Sequence, residues 1–105
     1  MTGKAVYDEK KGCYVYAPVG DIDAFSSRDL KKALAVCYSD QAGAHDLRLD
    51  FSGVTYIDST GLGVLIGLLK KLKLNDKKLY ISGSVENVKK IFTITGLDKI
   101  FVLED

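Results

Sequence analysis

At 105 residues the chain has room for one hydrophobic core, and residues 1–105 are read as a single domain. A net charge of +1 gives no general attraction to nucleic acid or to an anionic membrane. Two cysteines and one histidine are too few for a disulfide framework or a Cys/His metal site.

The chain opens with two expected strands, Lys4 to Glu9 and Gly12 to Val19, joined by a turn at Lys10-Lys11-Gly12. In the second, Cys13, Val15, Ala17 and Val19 alternate with Tyr14, Tyr16 and Pro18. One face is therefore small and apolar, and the other carries two tyrosines. Pro18 lacks a ladder donor and belongs near a strand end or on an edge. Gly20-Asp21-Ile22-Asp23 reads as the loop that closes this hairpin region.

A first helix is expected from about Ser26, with Ser26 and Asp29 at capping-box spacing. Leu30, Ala33, Leu34 and Cys37 form its buried stripe. Cys13 and Cys37 both lie in apolar patterns and read as reduced core thiols. Residues 39–44 read as a loop. Asp46 to Phe51 is a strand with Leu47, Leu49 and Phe51 on one side, and Val54 to Ile57 is a short extension or turn.

The second helix is expected from about Thr60 to Leu74. Its core face is Leu62, Leu65, Ile66, Leu69 and Leu72. Lys78 to Ser82 is a further strand. Ser84 reads as the cap of a third helix, in which Val88, Ile91, Phe92 and Thr95 share a face. Gly96 supplies the left-handed residue that ends it. Ile100 to Leu103 is the last strand. The order β-β-α-β-α-β-α-β implies an α/β fold: a mixed, mostly parallel sheet with an N-terminal β-hairpin and right-handed crossovers. The opening residues do not read as a signal peptide, and the apolar runs fall far short of the ~20 residues that span a bilayer. A cytoplasmic location is the default expectation.

The chemistry concentrates at Asp58-Ser59-Thr60-Gly61-Leu62-Gly63. This segment leaves a strand and opens a helix. Ser59 reads as an N-cap, its hydroxyl accepting from the amide of Gly61 or Leu62. Three features add to that. Asp58 is a second candidate cap. Gly61 and Gly63 weaken the first turn and strip it of side chains, so another chain can come close. Val64 and Leu68 fall off the core stripe and make, with Gly61, an apolar strip that suggests a docking face, or else a helix buried on two sides. Asp21 and Asp23 join Asp58 in an acidic rim if the two loops share one edge of the sheet. Such a rim would hold a divalent metal or pair with basic side chains of a partner; the partner is preferred. His45 reads as a solvated loop histidine, with no base placed beside Ser59. Gly-x-Ser-x-Gly, P-loop and Gly-x-Gly-x-x-Gly patterns are missing, so no enzyme and no cofactor is expected.

Ile57-Asp58-Ser59-Thr60-Gly61-Leu62-Gly63-Val64-Leu65, preceded by Leu49-Asp50-Phe51, resembles the signature of the STAS domain. More narrowly it resembles bacterial anti-sigma factor antagonists. Gly20-Asp21-Ile22-Asp23 is similar to the family's element before the first helix. Val88-Lys89-Lys90-Ile91-Phe92 and Thr95 to Phe101 are similar to its closing helix and strand.

The resemblance implies that Ser59 is the phosphoacceptor of an anti-sigma factor that is also a serine kinase. It implies that a PP2C-type phosphatase restores the free serine; nucleic acid and membrane are not expected as partners, on the charge and the short apolar runs above. The implied partner surface is Asp21, Asp23, Asp58, Thr60, Gly61, Leu62, Val64 and Leu68. Thr60 stands where many relatives carry Ser or Ala and offers a second hydroxyl. A STAS module that senses a small ligand or nucleotide, or that works in a stressosome-like assembly, is the alternative.

Overall fold

The computed structural model describes residues 3–35 and 45–104. The elements run β1 (Val6–Asp8), β2 (Cys13–Tyr16), β3 (Val19–Ile22), α1 (Ser27–Ala33), β4 (Asp46–Asp50), β5 (Gly53–Ile57), α2 (Ser59–Leu74), β6 (Leu79–Ser82), α3 (Glu86–Thr95), a 3-10 turn (Leu97–Lys99) and β7 (Val102–Glu104). The fold is α/β as expected, with the N-terminal hairpin leading into a mixed sheet. That sheet has the order β1-β2-β4-β6-β7. Among the described residues its β1–β2 pairing is antiparallel, and β2–β4, β4–β6 and β6–β7 are parallel.

The structure corrects the expected order at two places. Val19–Ile22, read as part of a strand and a closing loop, is the strand β3. Residues 54–57, read as an extension or turn, belong to β5. The two pair in parallel as a separate ribbon, with Ile22 beside Ile57 and an irregularity between Gly20 and Asp21. Pro18 is the physical reason. It cannot donate to the ladder, so β2 ends at Tyr16 and the chain switches from the sheet to the ribbon. The switch also breaks the alternation read from Cys13 to Val19: Tyr16 is buried, whereas Ala17 and Val19 are exposed.

The ribbon adds a wall to the core. Ile22 and Val54 are fully buried and Ile57 almost so, together with Leu47, Leu49 and Phe51 and with Leu79 and Ile81 of the sheet. Helix α2 turns its Gly61, Val64, Leu65, Leu68, Leu69 and Leu72 inward. Leu65, Leu69 and Leu72 were expected there. Leu62 and Ile66 are only half-buried against the edge of the core. The helix is thus rotated from the expected face, because α1 and the ribbon strand β5 both pack against it.

Two expected caps differ as well. Ser26 precedes α1, yet its side chain makes no cap bond to the helix. It is held by the preceding turn instead. Ser84 does not cap α3: Val85 is the residue before the helix, and the Ser84 hydroxyl is buried without a partner in the described residues. Gly96 ends α3 at φ 76°, the left-handed conformation that a glycine adopts without a Cβ clash. In α3, Val88 and Phe92 are buried, Ile91 is half-buried and Thr95 is exposed. Cys13 is buried with a free thiol. Cys37 and the loop at 39–44 lie outside the described residues. His45 is not a freely solvated loop residue: its ring packs edge-on against Tyr7, 4.7 Å between centroids, and near Tyr14.

Candidate functional site

The site is built where the ribbon meets the start of α2. Parallel pairing sets Ile22 beside Ile57, so the next residue of each strand, Asp23 and Asp58, emerges at the same edge. The amide of Asp58 donates to the carbonyl of Ile22 at 3.1 Å and fixes that edge. β-pairing therefore brings Asp23 and Asp58 together, with Asp21 one register step back, opposite Tyr56.

Asp58 is the N-cap of α2. One of its oxygens, Oδ1, accepts from the amides of Thr60 at 2.9 Å and Gly61 at 3.1 Å. Its extended backbone, φ −108° and ψ −175°, is the usual geometry of a cap residue. Ser59 was read as the cap. It is instead the first residue of the helix and is exposed. A carboxylate one residue earlier takes the orphan amides and leaves the serine hydroxyl with no hydrogen-bond partner among the described residues. Thr60 is exposed beside it.

Gly61, Val64 and Leu68 do not form an exposed strip. Val64 is 4% exposed and Leu68 0%, and Gly61 is buried. A β-carbon at Gly61 would lie 2.5 Å from Cγ2 of Ile22, 2.8 Å from the Ile22 carbonyl and 2.8 Å from Cγ1 of Ile57. The glycine is required by the protein's own ribbon, so these three residues stand behind the surface. Ser59, Thr60 and Gly63 are exposed in the first two turns, Gly63 with open space around it, and Leu62 is half-buried.

The turn between β3 and α1 is closely tied. Asp23 Oδ1 accepts from the amides of Phe25 and Ser26, both at 3.0 Å. The Asp23 amide donates to Ser26 Oγ at 2.9 Å, and Ser26 Oγ donates to the Asp21 carbonyl at 2.6 Å. The Ser26 amide foremost, then the Phe25 amide and the Ser26 hydroxyl, hold the Asp23 carboxyl below its ordinary range, with burial opposing. Asp21 accepts at 2.6 Å from the Thr55 hydroxyl, one strand away. Asn87 of α3 donates to the Thr55 carbonyl at 2.9 Å and ties that helix to the same ribbon. Thr55 was not singled out in the sequence, and Ser26 was read only as a helix cap. The β-branched and aromatic run Val54-Thr55-Tyr56-Ile57 carried the strand signal that would have placed Thr55.

The three carboxylates have no ion-pair partner among the described residues. The ion pair found there, Arg48 to Glu104 at 2.7 Å, joins β4 to β7. No group of three His, Cys, Asp or Glu among the described residues is arranged to hold a metal. Ser59 is left exposed at a helix N-terminus, directly after the capping carboxylate of Asp58.

A family model for the STAS domain matches residues 4–105. The anti-sigma-B factor antagonist of Staphylococcus epidermidis is 42% identical over 78 residues, which are 74% of this chain and 70% of that protein. The chain belongs to the STAS domain family, among the anti-sigma factor antagonists. Solved structures agree with the fold. A Thermotoga maritima protein described as an anti-sigma factor antagonist superposes with a TM-score of 0.85 at 20% identity, over 98% of this chain and 86% of that one. An anti-sigma factor antagonist from Mycobacterium paratuberculosis gives 0.75 at 25% identity, over 96% and 84%. In this STAS domain the Asp58-Ser59-Thr60 segment sits on the first turn of α2, with the ribbon and its aspartates beside it. No helix among its described residues is long and apolar enough to cross a membrane.

Proposed function

We propose that the chain is a phosphorylation-switched anti-sigma factor antagonist. With Ser59 unmodified it binds an anti-sigma factor that is also a serine kinase, and so releases a sigma factor. Transfer of a phosphoryl group to Ser59 ends the complex, and a PP2C-type phosphatase restores it. The role is cytoplasmic and is one of binding, not catalysis. One observation carries the reading: Asp58 has taken over the capping bonds, so the exposed Ser59 hydroxyl is free for a kinase.

The electrostatics supply the switch. Phosphorylation adds about −1.5 to −2 charges at neutral pH. The amides and dipole of a helix N-terminus favour an anion, so the fold survives the modification. Asp58 is adjacent in the chain, and Asp23 leaves the same ribbon edge. A partner whose surface suits three carboxylates and a neutral hydroxyl then meets a dianion that is costly to desolvate. A loss of about 3 kcal/mol weakens binding more than a hundredfold.

The test is to incubate the purified chain with ATP and the anti-sigma factor kinase of its own organism, and to follow intact mass and binding. The expected result is one phosphate, missing from Ser59→Ala, and loss of the complex in the modified form. Phosphate on another residue, or a modified chain that binds as tightly as before, would sink the reading.

A further inference from the structure

Phe25 is 90% exposed and stands in the most tightly bonded turn of the site. Its own amide and that of Ser26 are both held by Asp23, and Ser26 is held in turn by the Asp21 carbonyl. Asp21 pairs with Tyr56 across the ribbon, and Tyr56 is 46% exposed. Ile22 and Ile57, next along each strand, point into the core, so Asp21 and Tyr56 lie on the outer face. Neither aromatic ring packs on another ring among the described residues. Ser59 follows Tyr56 by three positions. Two solvent-facing aromatic rings thus stand on the segments that lead to the site: Phe25 in the turn tied by Asp23, and Tyr56 opposite Asp21, three residues before Ser59.

We propose that Phe25 and Tyr56 are the aromatic anchors of the partner interface, and that they fit a partner surface with an apolar slot rimmed by arginine or lysine. The inference rests on the anti-sigma factor antagonist reading and adds the residues that supply its affinity. Charge complementarity sets the rim, because Asp21, Asp23 and Asp58 have no cation of their own among the described residues. The aromatic rings set the slot. Interface energy concentrates in a few such side chains, which pack into pockets from which water is excluded. A ring on a fixed turn also loses little freedom on docking, which is the general advantage of preorganisation.

A lone exposed apolar residue is ordinary on a protein surface. Ile94 of α3, 83% exposed, is such a residue and serves as the comparison. The experiment measures affinity of the unphosphorylated chain for the purified anti-sigma factor kinase of its own organism by calorimetry. Wild type is compared with Phe25→Ala, Phe25→Tyr, Tyr56→Ala and Ile94→Ala, and circular dichroism checks that each is folded. The expected result is a loss of at least about tenfold for Phe25→Ala and Tyr56→Ala, the size of a modest hot spot. Phe25→Tyr and Ile94→Ala stay near wild type. If wild type binds and both alanine variants bind equally well, the aromatic anchors are refuted while the antagonist reading stands. If wild type itself does not bind, the antagonist reading falls and takes this inference with it.

Discussion

Gly61 stands against Ile22 so closely that a β-carbon on the glycine would lie 2.5 Å from Cγ2 of the isoleucine. This contact sets the spacing between the ribbon and the first turn of α2. It therefore sets the position of Ser59, two residues earlier. Two of the opposing groups are the Ile22 carbonyl and the Ile57 side chain, each at 2.8 Å. Gly61→Ala should then cost about 1–3 kcal/mol, the usual penalty of overpacking. Urea unfolding would show a lower midpoint with an unchanged slope. An alanine variant as stable as wild type would mean that the ribbon moves freely against the helix.

Gly63 offers the opposite case, two residues on. Nothing lies within 4 Å of its notional β-carbon, and it is exposed inside a helix. Alanine there should stabilise the protein by about 0.5–1 kcal/mol, chiefly through the freedom lost from the unfolded chain. A rise in thermal midpoint without change in Ser59 phosphorylation would separate this glycine from Gly61. If Gly63→Ala keeps its stability but blocks phosphorylation, the open space above it is needed by the kinase.

Asp58 and Ser59 divide capping and function between them. Asp58→Ala removes both side-chain cap bonds and should cost about 1 kcal/mol, within the 0.5–2 range of such caps. Ser59→Ala should change stability by less than about 0.5 kcal/mol, since the hydroxyl has no partner among the described residues. Denaturant titrations of the two variants side by side test this. The reverse order would assign the cap to Ser59.

How much of this was legible in the sequence depends on the element. Leu65, Leu69 and Leu72 follow a helical period, and each is buried as that period demands. Gly96 and the Asp58-Ser59 strand-to-helix junction were also visible, because their chemistry is local. The ribbon was not. Val19–Ile22 and Gly53–Ile57 are short strands whose pairing joins residues more than thirty positions apart, and Gly20 and Asp21 read as turn residues. Missing the ribbon left α2 one wall short. Val64 and Leu68 then read as a docking face or as a second buried side of the helix, and the second of these is what the ribbon produces. Asp23 and Asp58 still meet, because each is the residue that follows one of the two paired strands.

The rotation of α2 has its own consequence. Leu68 is fully buried, and its replacement by alanine should cost about 2–5 kcal/mol. Leu62 is half-buried at the core's edge, so the same change there should cost less than about half as much. Chemical unfolding of the pair reads the helix orientation directly. Equal losses would favour the face expected from the sequence, with Leu62 at its centre.

Asp23 links the turn under Phe25 to pH. Its carboxylate accepts from two backbone amides, so the charged form is favoured in the folded protein and the folded pKa lies below the unfolded one. The sign follows. The stabilisation is fully present above the unfolded value of about 3.9, and it disappears as pH falls through the lower folded value. Asp23→Asn keeps an oxygen that can accept the same bonds but does not titrate. The variant should be less stable than wild type at neutral pH. The gap should stay constant down to about pH 4 and then close as the wild type is protonated. Unfolding free energies measured from pH 2 to 7 decide the point. Parallel curves for the two proteins would show that the turn holds a carboxyl and a carboxylate equally well.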